Sequence, residues 1–524
     1  MHYYCNIYFD KLILQEYNQI CKQSMTLSKS DYMLFLKHPA WLWLKKKDSS
    51  KLPETDENTQ TIFDAGHIFE SYAEKLFPEA VRLSFNSYDE YLSLTDRTRK
   101  SIENGTKTII QGRFEAGGIT CIVDVLDRVA DDIFDLIEIK SATKAKPEHE
   151  YDLAFQLTVL EKAGIKVRNA AIIHANSEYV RYGEIEPEKL TVKTDVSGAV
   201  QTLTNVTREL IDSALKILGK SSIPDISPRY VNQAGISGVS WFSEWMDIYK
   251  SLVSDLNPYS IYYLSYPTSE QIGKLEDENI YLIRDIPEKF TLRPRQSAQI
   301  QTTKKNERII VKEKIQMFLD TFVYPIYFLD YETFSDVIPR FDGCKPYGDY
   351  PFQYSLHILD SKGTEVVHKE YLHSENSNPM PNLLKKLRRD VGNTGTILSW
   401  NMSYEKGCHA RMADLYPENK AYLDNLNERM NDLMTPFSEM WFVDKDFFGS
   451  ASIKSVLPVL VPDLSYKELE VSDGMLARRT FTQTVFEGKN MEQREKILTD
   501  LKKYCFLDTF AMVKILEKLK DCCN

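Results

Sequence analysis

The sequence predicts an α/β protein in which two mixed α/β domains are joined by a folded connector. Two observations predict the domains: short apolar runs typical of strands alternate with helical patterns up to about Gly219, and the same alternation returns after about Phe318. A third observation is length, because 524 residues exceed what one compact domain usually contains. We therefore place the domains at residues 1–219 and 319–524, with the connector at 220–318.

Composition and charge narrow the class of protein. The chain is 43% hydrophobic and 27% charged, which is ordinary for a protein with a sizeable core. The net charge of −11 disfavours nonspecific coating of nucleic acid by a basic surface, but metal-binding carboxylates and a local basic groove are compatible with it. No apolar run is long enough for a membrane span, the start lacks a signal-peptide pattern, and the eight cysteines form no even framework. We expect a cytoplasmic protein without a membrane partner.

In the first domain, charged residues end two predicted strands, Thr120–Val125 and Leu136–Lys140. Asp124 ends the run CIVD, and Glu138 and Lys140 end the run LIEIK. Side chains alternate along a strand, so Glu138 and Lys140 point to the same side. Carboxylates there would hold a hard divalent cation and the ammonium group would position a water, which suits phosphodiester hydrolysis.

Two further polar residues fall on predicted helices near these strands. Glu70 lies in GHIFESYAEKLF and Gln156 in YDLAFQLTVLEKAG. A Glu-x-Lys pair alone is typical of a solvated strand edge. The combination with Asp124, Glu70 and Gln156 favours a catalytic role.

This set of residues resembles the RecB-like nucleases of the PD-(D/E)XK superfamily. The resemblance implies a restriction-endonuclease-like fold, with Glu70 as the helix acid and Asp124 as the first catalytic aspartate. Glu138 and Lys140 match the (D/E)xK element, and Gln156 matches the glutamine of the Q-x-x-x-Y motif. Asp124 and Glu138 are then the expected metal ligands.

One branch of this superfamily binds an iron–sulfur cluster through one early cysteine and three cysteines after the nuclease core. The segment LSKSDYMLFLKHPAWLWL resembles the entrance motif of the family, but His38 stands at its cysteine position and Leu160 at the tyrosine of Q-x-x-x-Y. No cysteine occurs between Cys121 and Cys344, and such clusters need thiolates. We expect no iron–sulfur cluster.

The second domain begins with an apolar strand, IYFLDYETF, that carries Asp330 and Glu332 on one side. Glu405 follows in NMSYEKG, after another predicted strand. Tyr504 and Asp508 are four residues apart on a long amphipathic helix from about Met491 to Leu519, and therefore share a face. Acids that converge from separate elements are typical of sites that bind two metal ions for phosphoryl transfer.

These three motifs resemble those of the DnaQ-like (DEDD) 3′–5′ exonucleases, in the tyrosine subtype. Asp330 and Glu332 match D-x-E, Glu405 stands at the aspartate of N-x-x-(F/Y)-D, and Tyr504 and Asp508 match Y-x-x-x-D. The resemblance implies an RNase H-like fold, metal ligands at Asp330, Glu332 and Asp508, and Asp432 as a supplementary acid. The order of the two domains resembles an uncharacterised bacterial protein family in which a DnaQ-like domain follows a RecB-like domain.

Several other features allow a functional and an ordinary structural interpretation. The basic residues that are candidates for phosphate contacts are Lys45–Lys47, Arg293, Arg295, Lys304, Lys305 and Lys385–Arg389. A group of aromatic residues either stacks on bases or forms core; its members are Trp241, Phe242, Trp245, Tyr249, Tyr259, Tyr262 and Tyr263. We favour core for the aromatic residues, a solvated helix face for Lys385–Arg389, and free thiols for Cys522 and Cys523. No G-x-x-x-x-G-K-[ST] motif of an ATP-driven motor is present.

The sequence therefore predicts a metal-dependent nuclease with Mg²⁺ or Mn²⁺ as its cofactor and DNA, rather than RNA, as its partner. Repair or defence against foreign DNA is the expected role. Two alternatives stay open: one module is active while the other is a nucleic-acid-binding platform, or the whole protein is a noncatalytic nucleic-acid-binding scaffold.

Overall fold

The computed structural model describes residues 26–54 and 57–523, which divide into two compact units. Unit 1 contains the described residues up to Tyr179 together with Glu184–Leu256 and Thr268–Gly273. Unit 2 contains Val180–Gly183, Asn257–Pro267 and the chain from Lys274 onward.

A mixed sheet of seven strands organises the described part of unit 1, in the order β2-β3-β4-β5-β6-β7, with β1 paired to the start of β4. Antiparallel pairing joins β3 to β4 and β4 to β5, whereas β5 and β6 are parallel. The strands are β1 (Leu27–Ser28), β2 (Val81–Arg82), β3 (Thr108–Ala116), β4 (Ile119–Ala130), β5 (Ile133–Lys140), β6 (Lys166–Ala175) and β7 (Thr191–Asp195).

Helices pack on this sheet and on each other. They are α1 (Lys29–Lys37), α2 (Pro39–Lys47), α3 (Glu57–Ala73), α4 (Tyr88–Glu103), α5 (Pro147–Lys162), α6 (Pro187–Leu190), α7 (Ser197–Leu218) and α8 (Phe242–Leu252). A further helix, α9 (Ser269–Asp277), begins in unit 1.

A capping box starts α1: the Asp31 amide donates to Ser28 Oγ, and the Ser28 amide donates to Asp31 Oδ2. This cap fixes Lys29 as the first residue of the helix.

His38, at the position where the resembled family has cysteine, is a buried structural residue. Its ring stacks on Trp245 of α8 with centroids 3.6 Å apart, its Nδ1 accepts from the Ala40 amide, and its Nε2 is 3.0 Å from the Ser227 carbonyl. Burial lowers the pKa of His38 to about 3. The imidazole is therefore neutral at pH 7 and caps α2.

The described segment 220–318, predicted as a connector, forms no third compact unit. Residues 220–256 and 268–273 belong to unit 1 and the remainder to unit 2. Its apolar residues explain this, because Trp245 packs on His38 in unit 1. In unit 2, Ser265 bonds to the Gln299 side chain and to the Gly449 carbonyl. The aromatic residues Trp241, Trp245, Tyr249 and Tyr262 are buried, as expected for core.

The central sheet of unit 2 has five strands in the order β11-β10-β9-β12-β13, and β10 alone runs opposite to the other four. A separate two-stranded ribbon pairs β8 with β14. The strands are β8 (Ile309–Ile310), β9 (Ile326–Phe334), β10 (Tyr350–Leu359), β11 (Val367–Leu372), β12 (Thr396–Ser399), β13 (Met430–Asp432) and β14 (Phe442–Val443). β9 is central and buried along nearly its whole length.

The helices of unit 2 are α10 (Pro294–Lys305), α11 (Lys312–Leu319), α12 (Met380–Asp390), α13 (Ser403–Leu415), α14 (Lys420–Glu428), α15 (Thr435–Ser438), α16 (Ile453–Leu460), α17 (Gly474–Phe481) and α18 (Arg494–Cys523). The long α18 confirms the predicted C-terminal helix and packs along β9 and β10. The amphipathic pattern predicts an apolar stripe on this helix at Ile497, Leu501, Tyr504, Asp508, Ala511 and Ile515. All of these residues are buried except Ile497, which is half-buried. Cys522 and Cys523 at its end are free thiols.

The predicted α/β class is confirmed, since each unit combines a mixed sheet with helices. The strands predicted at Thr120–Val125 and Leu136–Lys140 are parts of β4 and β5. Across the residues that the structure describes, none of the helices combines the length and apolar character needed to cross a membrane.

Replacing His38 by Gln should reduce the loss of stability between pH 7 and pH 5. The folded-state pKa of His38, about 3, lies below the pKa of roughly 6.5 of an unfolded histidine. The contribution of His38 to the free energy of unfolding is therefore complete above the unfolded pKa and is lost as the pH falls toward the folded pKa. Between pH 7 and pH 5 this amounts to about 2 kcal/mol of unfolding free energy. Urea unfolding of the wild type and of His38→Gln at both pH values measures the difference. His67→Gln, at an exposed position, is the control; equal pH dependence in all three proteins would contradict the assignment.

Candidate functional site

In unit 1, the pairing of β4 with β5 brings Asp124 and Glu138 side by side. The antiparallel register pairs Val125 with Ile137, and Asp124 and Glu138 are the next residues along each strand. Asp124 Oδ2 accepts a hydrogen bond of 2.8 Å from the Ile139 amide, which fixes its carboxylate against β5. We refer to Glu70, Asp124, Glu138, Lys140 and Gln156 as the unit 1 acidic site.

Glu70 on α3 reaches this site through Gln111. The side-chain nitrogen Nε2 of Gln111 is 2.5 Å from Glu70 Oε1 and 3.5 Å from Asp124 Oδ1. Gln111 has a left-handed backbone (φ 61°), between ladder pairs of β3 and β4. A residue other than glycine in this conformation is strained, and such strain concentrates at functional sites. The sequence offers no clear signal for Gln111 beyond a polar residue within an apolar strand.

Glu138 is the most strongly compensated acid of the unit 1 acidic site. It is 1% exposed, and its Oε1 is 2.6 Å from Lys140 Nζ and 2.7 Å from Lys29 Nζ. Its Oε2 accepts from the Gln156 amide at 2.7 Å. Burial alone would raise the pKa of Glu138, but the two ammonium groups hold it well below its ordinary value. Glu138 is therefore ionised, and it forms the middle of a charged network.

Asp152 completes this network from α5. Its Oδ2 is 2.7 Å from Lys140 Nζ, and its Oδ1 is 2.9 Å from the Gln156 amide nitrogen and 3.7 Å from Lys29 Nζ. Lys29 and Asp152 were not among the residues predicted from the sequence. Their signals are weak: Asp152 lies one helical turn before Gln156, and Lys29 directly follows the Ser28 cap.

Asp124 differs from Glu138 because no ammonium group bonds to it among the described residues. Burial, and then repulsion by Glu138 and Glu70, raises the pKa of Asp124 to about 8, against the opposing effect of Lys29 and Lys140. Ionisation of the Asp124 carboxyl group is therefore unfavourable unless a cation lies beside it. The Oε1 atom of Gln156 is buried without a hydrogen-bond partner in the described chain. Both observations fit a cation next to Asp124 and Glu138.

In unit 2, the central strand β9 presents Asp330 and Glu332 on one side. Cys505, which follows Tyr504 on α18, has its Sγ 3.7 Å from Asp330 Oδ2. Asp330, Glu332 and Cys505 each offer a ligand atom, and these atoms all lie within 4.8 Å of one another. Such spacing fits three groups around one metal ion.

The helix α18 adds Tyr504 and Asp508, one turn apart, to the same place. Asp508 Oδ1 accepts a hydrogen bond of 2.6 Å from Tyr466 Oη, a residue that the sequence did not indicate. Burial raises the pKa of Asp508 to about 6, and the hydrogen bond from Tyr466 limits the increase. We refer to Asp330, Glu332, Tyr504 and Asp508 as the unit 2 acidic site.

A cavity of about 330 Å³ opens over the unit 2 acidic site, and all four of its residues line it. Its cationic lining residues are Lys454 of α16 and Arg478 of α17. Lys454 Nζ donates to the Ser472 carbonyl, and Arg478 forms an ion pair of 2.6 Å with Asp349. The cavity thus combines an acidic floor with two cationic side chains.

The carboxylates of the unit 2 acidic site form no ion pair with a lysine or arginine within the described residues. Burial, followed by repulsion from Asp508, raises the pKa of both Asp330 and Glu332 well above the ordinary range. Crowded, buried carboxylates repel one another unless protons or a cation neutralise them. The donor set is therefore the one that a divalent cation would stabilise.

Glu405 does not line the cavity, although it is close enough to contribute to the raised pKa of Asp330. It lies in the first turn of α13, is 1% exposed, and its Oε2 has no hydrogen-bond partner in the described part of the chain. Burial raises the pKa of Glu405 to about 8. Its neighbour Tyr404 lines the cavity instead. Asp432 accepts from the Asn401 and Met402 amides, so it caps the start of α13.

Several of the basic residues considered for phosphate contact have other partners. Lys46 forms a 2.7 Å ion pair with Asp31, Lys304 donates to the Ile286 carbonyl, and Arg295 donates to the Ser438 carbonyl. Lys386 and Arg389 both pair with Asp390 on α12. Lys454 and Arg478, at the cavity itself, are better placed to meet a phosphate.

Comparisons with known proteins identify a matching family model and a distant relative. Residues 327–452 match a family described as a domain of unknown function (DUF2779). This range includes Asp330, Glu332 and Glu405 but ends before Tyr504 and Asp508. The uncharacterized protein MG366 of Mycoplasma genitalium is 26% identical over 218 residues, which cover 37% of this chain and 32% of that protein. The chain therefore spans about a third of the length of this relative, and neither description names an activity.

Removal of Lys29 should destabilise unit 1 through Glu138. Lys29→Met is expected to lower the free energy of unfolding by about 2 kcal/mol, because it removes a charge-assisted hydrogen bond to a buried carboxylate. A double-mutant cycle with Glu138→Gln should give a coupling energy of about 1–3 kcal/mol. Chemical denaturation measures both. Lys51→Met, at an exposed ion pair, should change stability by less than about 0.5 kcal/mol; additive effects of Lys29→Met and Glu138→Gln would refute the coupling.

Binding of Mn²⁺ should strengthen from pH 6 to pH 8 and should release protons. The raised pKa values of Asp330, Glu332 and Asp124 mean that protons compete with the ion, and this competition weakens as the pH rises. Calorimetric titration in two buffers of different ionisation heat counts the protons released. Asp330→Asn should remove the part due to unit 2, and Asp124→Asn the part due to unit 1. The same affinity at both pH values would show that protonated carboxyls are not the ligands.

Proposed function

We propose that the protein is a metal-dependent nuclease that hydrolyses phosphodiester bonds of DNA, with a DnaQ-like 3′–5′ exonuclease site in unit 2 and a RecB-like site in unit 1. The observation that carries the proposal is the unit 2 acidic site, where the buried Glu332 and Asp508 and the half-buried Asp330 line a cavity with two cationic side chains. None of these carboxylates is paired with a lysine or arginine among the described residues. Such a site suits a divalent cation together with a phosphate.

The topology of unit 2 supports the comparison with the DnaQ-like enzymes. Its D-x-E motif lies on the central strand β9 of a mixed sheet in which only β10 is antiparallel, an arrangement compatible with an RNase H-like sheet. Its Y-x-x-x-D motif lies on α18, and both motifs line one cavity. Residues more than 170 positions apart in the sequence thus meet, as the resemblance implies.

Each group in the unit 2 acidic site has a role in this proposal. Asp330, Glu332 and Asp508 would hold Mg²⁺ or Mn²⁺, which when bound supplies Lewis-acid activation of water and of the phosphate. The Tyr504 hydroxyl lines the cavity near Asp508 and would orient the attacking water. Lys454 and Arg478 would bind the phosphate oxygens through their positive charge.

In unit 1, Asp124 and Glu138 would hold the cation and Lys140 would position the water. Asp152 and Gln156 fix Lys140 and Glu138 in place. Glu70 is linked to Asp124 through Gln111 and would complete the acidic environment. In cells we place this activity in the cytoplasm, in DNA repair or in defence against foreign DNA.

A second candidate is that unit 2 alone is catalytic and unit 1 is a nucleic-acid-binding platform. The observation that favours it is the pair of ammonium groups on Glu138, at 2.6 and 2.7 Å, because they already neutralise a ligand that a cation would need. The unit 2 acidic site has no such pair within residues 26–54 and 57–523.

Nuclease assays on end-labelled single- and double-stranded DNA and RNA with Mg²⁺ or Mn²⁺ test the proposal. Asp330→Asn should reduce stepwise trimming from the 3′ end by about 100-fold or more, because a metal ligand is lost. Lys140→Ala should reduce the remaining cleavage by a similar factor while leaving the trimming intact. If Lys140→Ala changes no cleavage but Asp330→Asn removes all of it, the second candidate is correct.

The matched control substitutions remove the same charge as Asp330→Asn and Lys140→Ala, but they do so at exposed ion pairs away from the two sites. Asp424→Asn in unit 2 and Lys51→Ala in unit 1 should cleave like the wild type. Wild-type protein that binds DNA and RNA yet cleaves neither with either ion would refute the nuclease and leave the scaffold alternative.

A further inference from the structure

The side chain of Cys505 lies where it could add a further metal ligand to the unit 2 acidic site. It is fully buried on α18, between Tyr504 and Asp508 in sequence, and its Sγ is 3.7 Å from Asp330 Oδ2. The ligand atoms of Asp330, Glu332 and Cys505 all lie within 4.8 Å of one another. The helix thus brings sulfur to the same point as two carboxylates.

The side chain of Glu332 provides an independent indication of a cation site. Its side chain is 8% exposed and lines the cavity. Within the described residues it makes neither a hydrogen bond nor an ion pair. A buried carboxylate normally has a partner, since burying it without one costs several kcal/mol. An ion bound at this cluster would supply that partner.

The kind of ion follows from the donor atoms. Magnesium takes oxygen ligands in octahedral geometry and gains little from sulfur. Zinc binds thiolate at about 2.3 Å and carboxylate oxygen at about 2.0–2.2 Å, and three protein ligands with one open position are typical of its reactive sites. We propose that Asp330, Glu332 and Cys505 together bind a thiophilic divalent ion of the zinc class, with Cys505 as a thiolate ligand.

This inference rests on the proposed function, because the two carboxylates are shared, and it adds regulation by metal identity. An ion held by sulfur would occupy the position that Mg²⁺ or Mn²⁺ needs for catalysis, so zinc would compete with the activating ion. On binding, the S–H bond of Cys505 breaks, its proton goes to solvent, and a metal–sulfur bond forms. No electron is transferred.

Cobalt(II), a spectroscopic substitute for zinc, tests the metal–sulfur bond directly on the full-length reduced protein. A Co²⁺ titration should produce a near-ultraviolet sulfur-to-cobalt charge-transfer band, and added Zn²⁺ should remove it. The band should be lost in Cys505→Ser and in Cys505→Ala. It should persist in Cys408→Ser, which alters another fully buried cysteine of unit 2 that is not part of the ligand cluster.

Zinc affinity, measured by competition with a chromophoric chelator, is the second measurement. Cys505→Ser should weaken it by about tenfold or more, as expected for loss of a ligand, and Glu332→Gln should weaken it as well. Circular dichroism and thermal unfolding establish that each variant is folded.

The outcomes separate this inference from the nuclease proposal. Wild-type protein that cleaves DNA with Mn²⁺ but gives no charge-transfer band with Co²⁺ would overturn the thiolate ligand and leave the nuclease standing. A band that survives in both Cys505 variants would also overturn it. A band that depends on Cys505, in a protein that cleaves nothing, would establish the site while refuting the nuclease.

Discussion

The balance of charge around buried carboxylates is the constraint on which both candidate sites depend. Each unit places acids beside a well-packed sheet, where exposure to water is too small to offset their mutual repulsion. In unit 1, lysines compensate the negative charge, because Lys29 and Lys140 both form ion pairs with Glu138. Asp152 binds Lys140 and Gln156 binds Glu138, which stabilises this arrangement. The carboxylates of the unit 2 acidic site have no such lysine or arginine partner among the described residues, so protons or a cation must compensate Asp330 and Glu332.

This difference gives the two sites different chemical character. A cation approaching Glu138 meets two ammonium groups already at hydrogen-bond distance, so it must displace at least one of them. At Asp330 and Glu332 the ion replaces protons instead. The positive side chains of that cavity, Lys454 and Arg478, have their own polar partners and remain beside the acids rather than on them. The arrangement leaves room for an ion and a phosphate together.

Much of both sites could be predicted because strand and helix periodicity dictate which residues share a side. Asp330 and Glu332 are two apart on a strand, and Tyr504 and Asp508 are four apart on a helix, so each pair shares a face whatever the rest of the fold does. Lys29, Gln111 and Tyr466 could not be predicted in this way. Each reaches its acid across a tertiary contact, and no sequence spacing encodes such a contact. The sequence could not assign residues 220–318 to either unit for a related reason, since their apolar residues signal folding but not the unit onto which they pack.

The bridge made by Gln111 has a mechanical consequence. Its single amide group faces Glu70 on a helix and Asp124 on a strand, and its left-handed backbone leaves little freedom to follow either one alone. The position of α3 and the surroundings of the Asp124 carboxyl group are therefore linked through one side chain, so a shift of this helix would change the contact between Gln111 and Asp124.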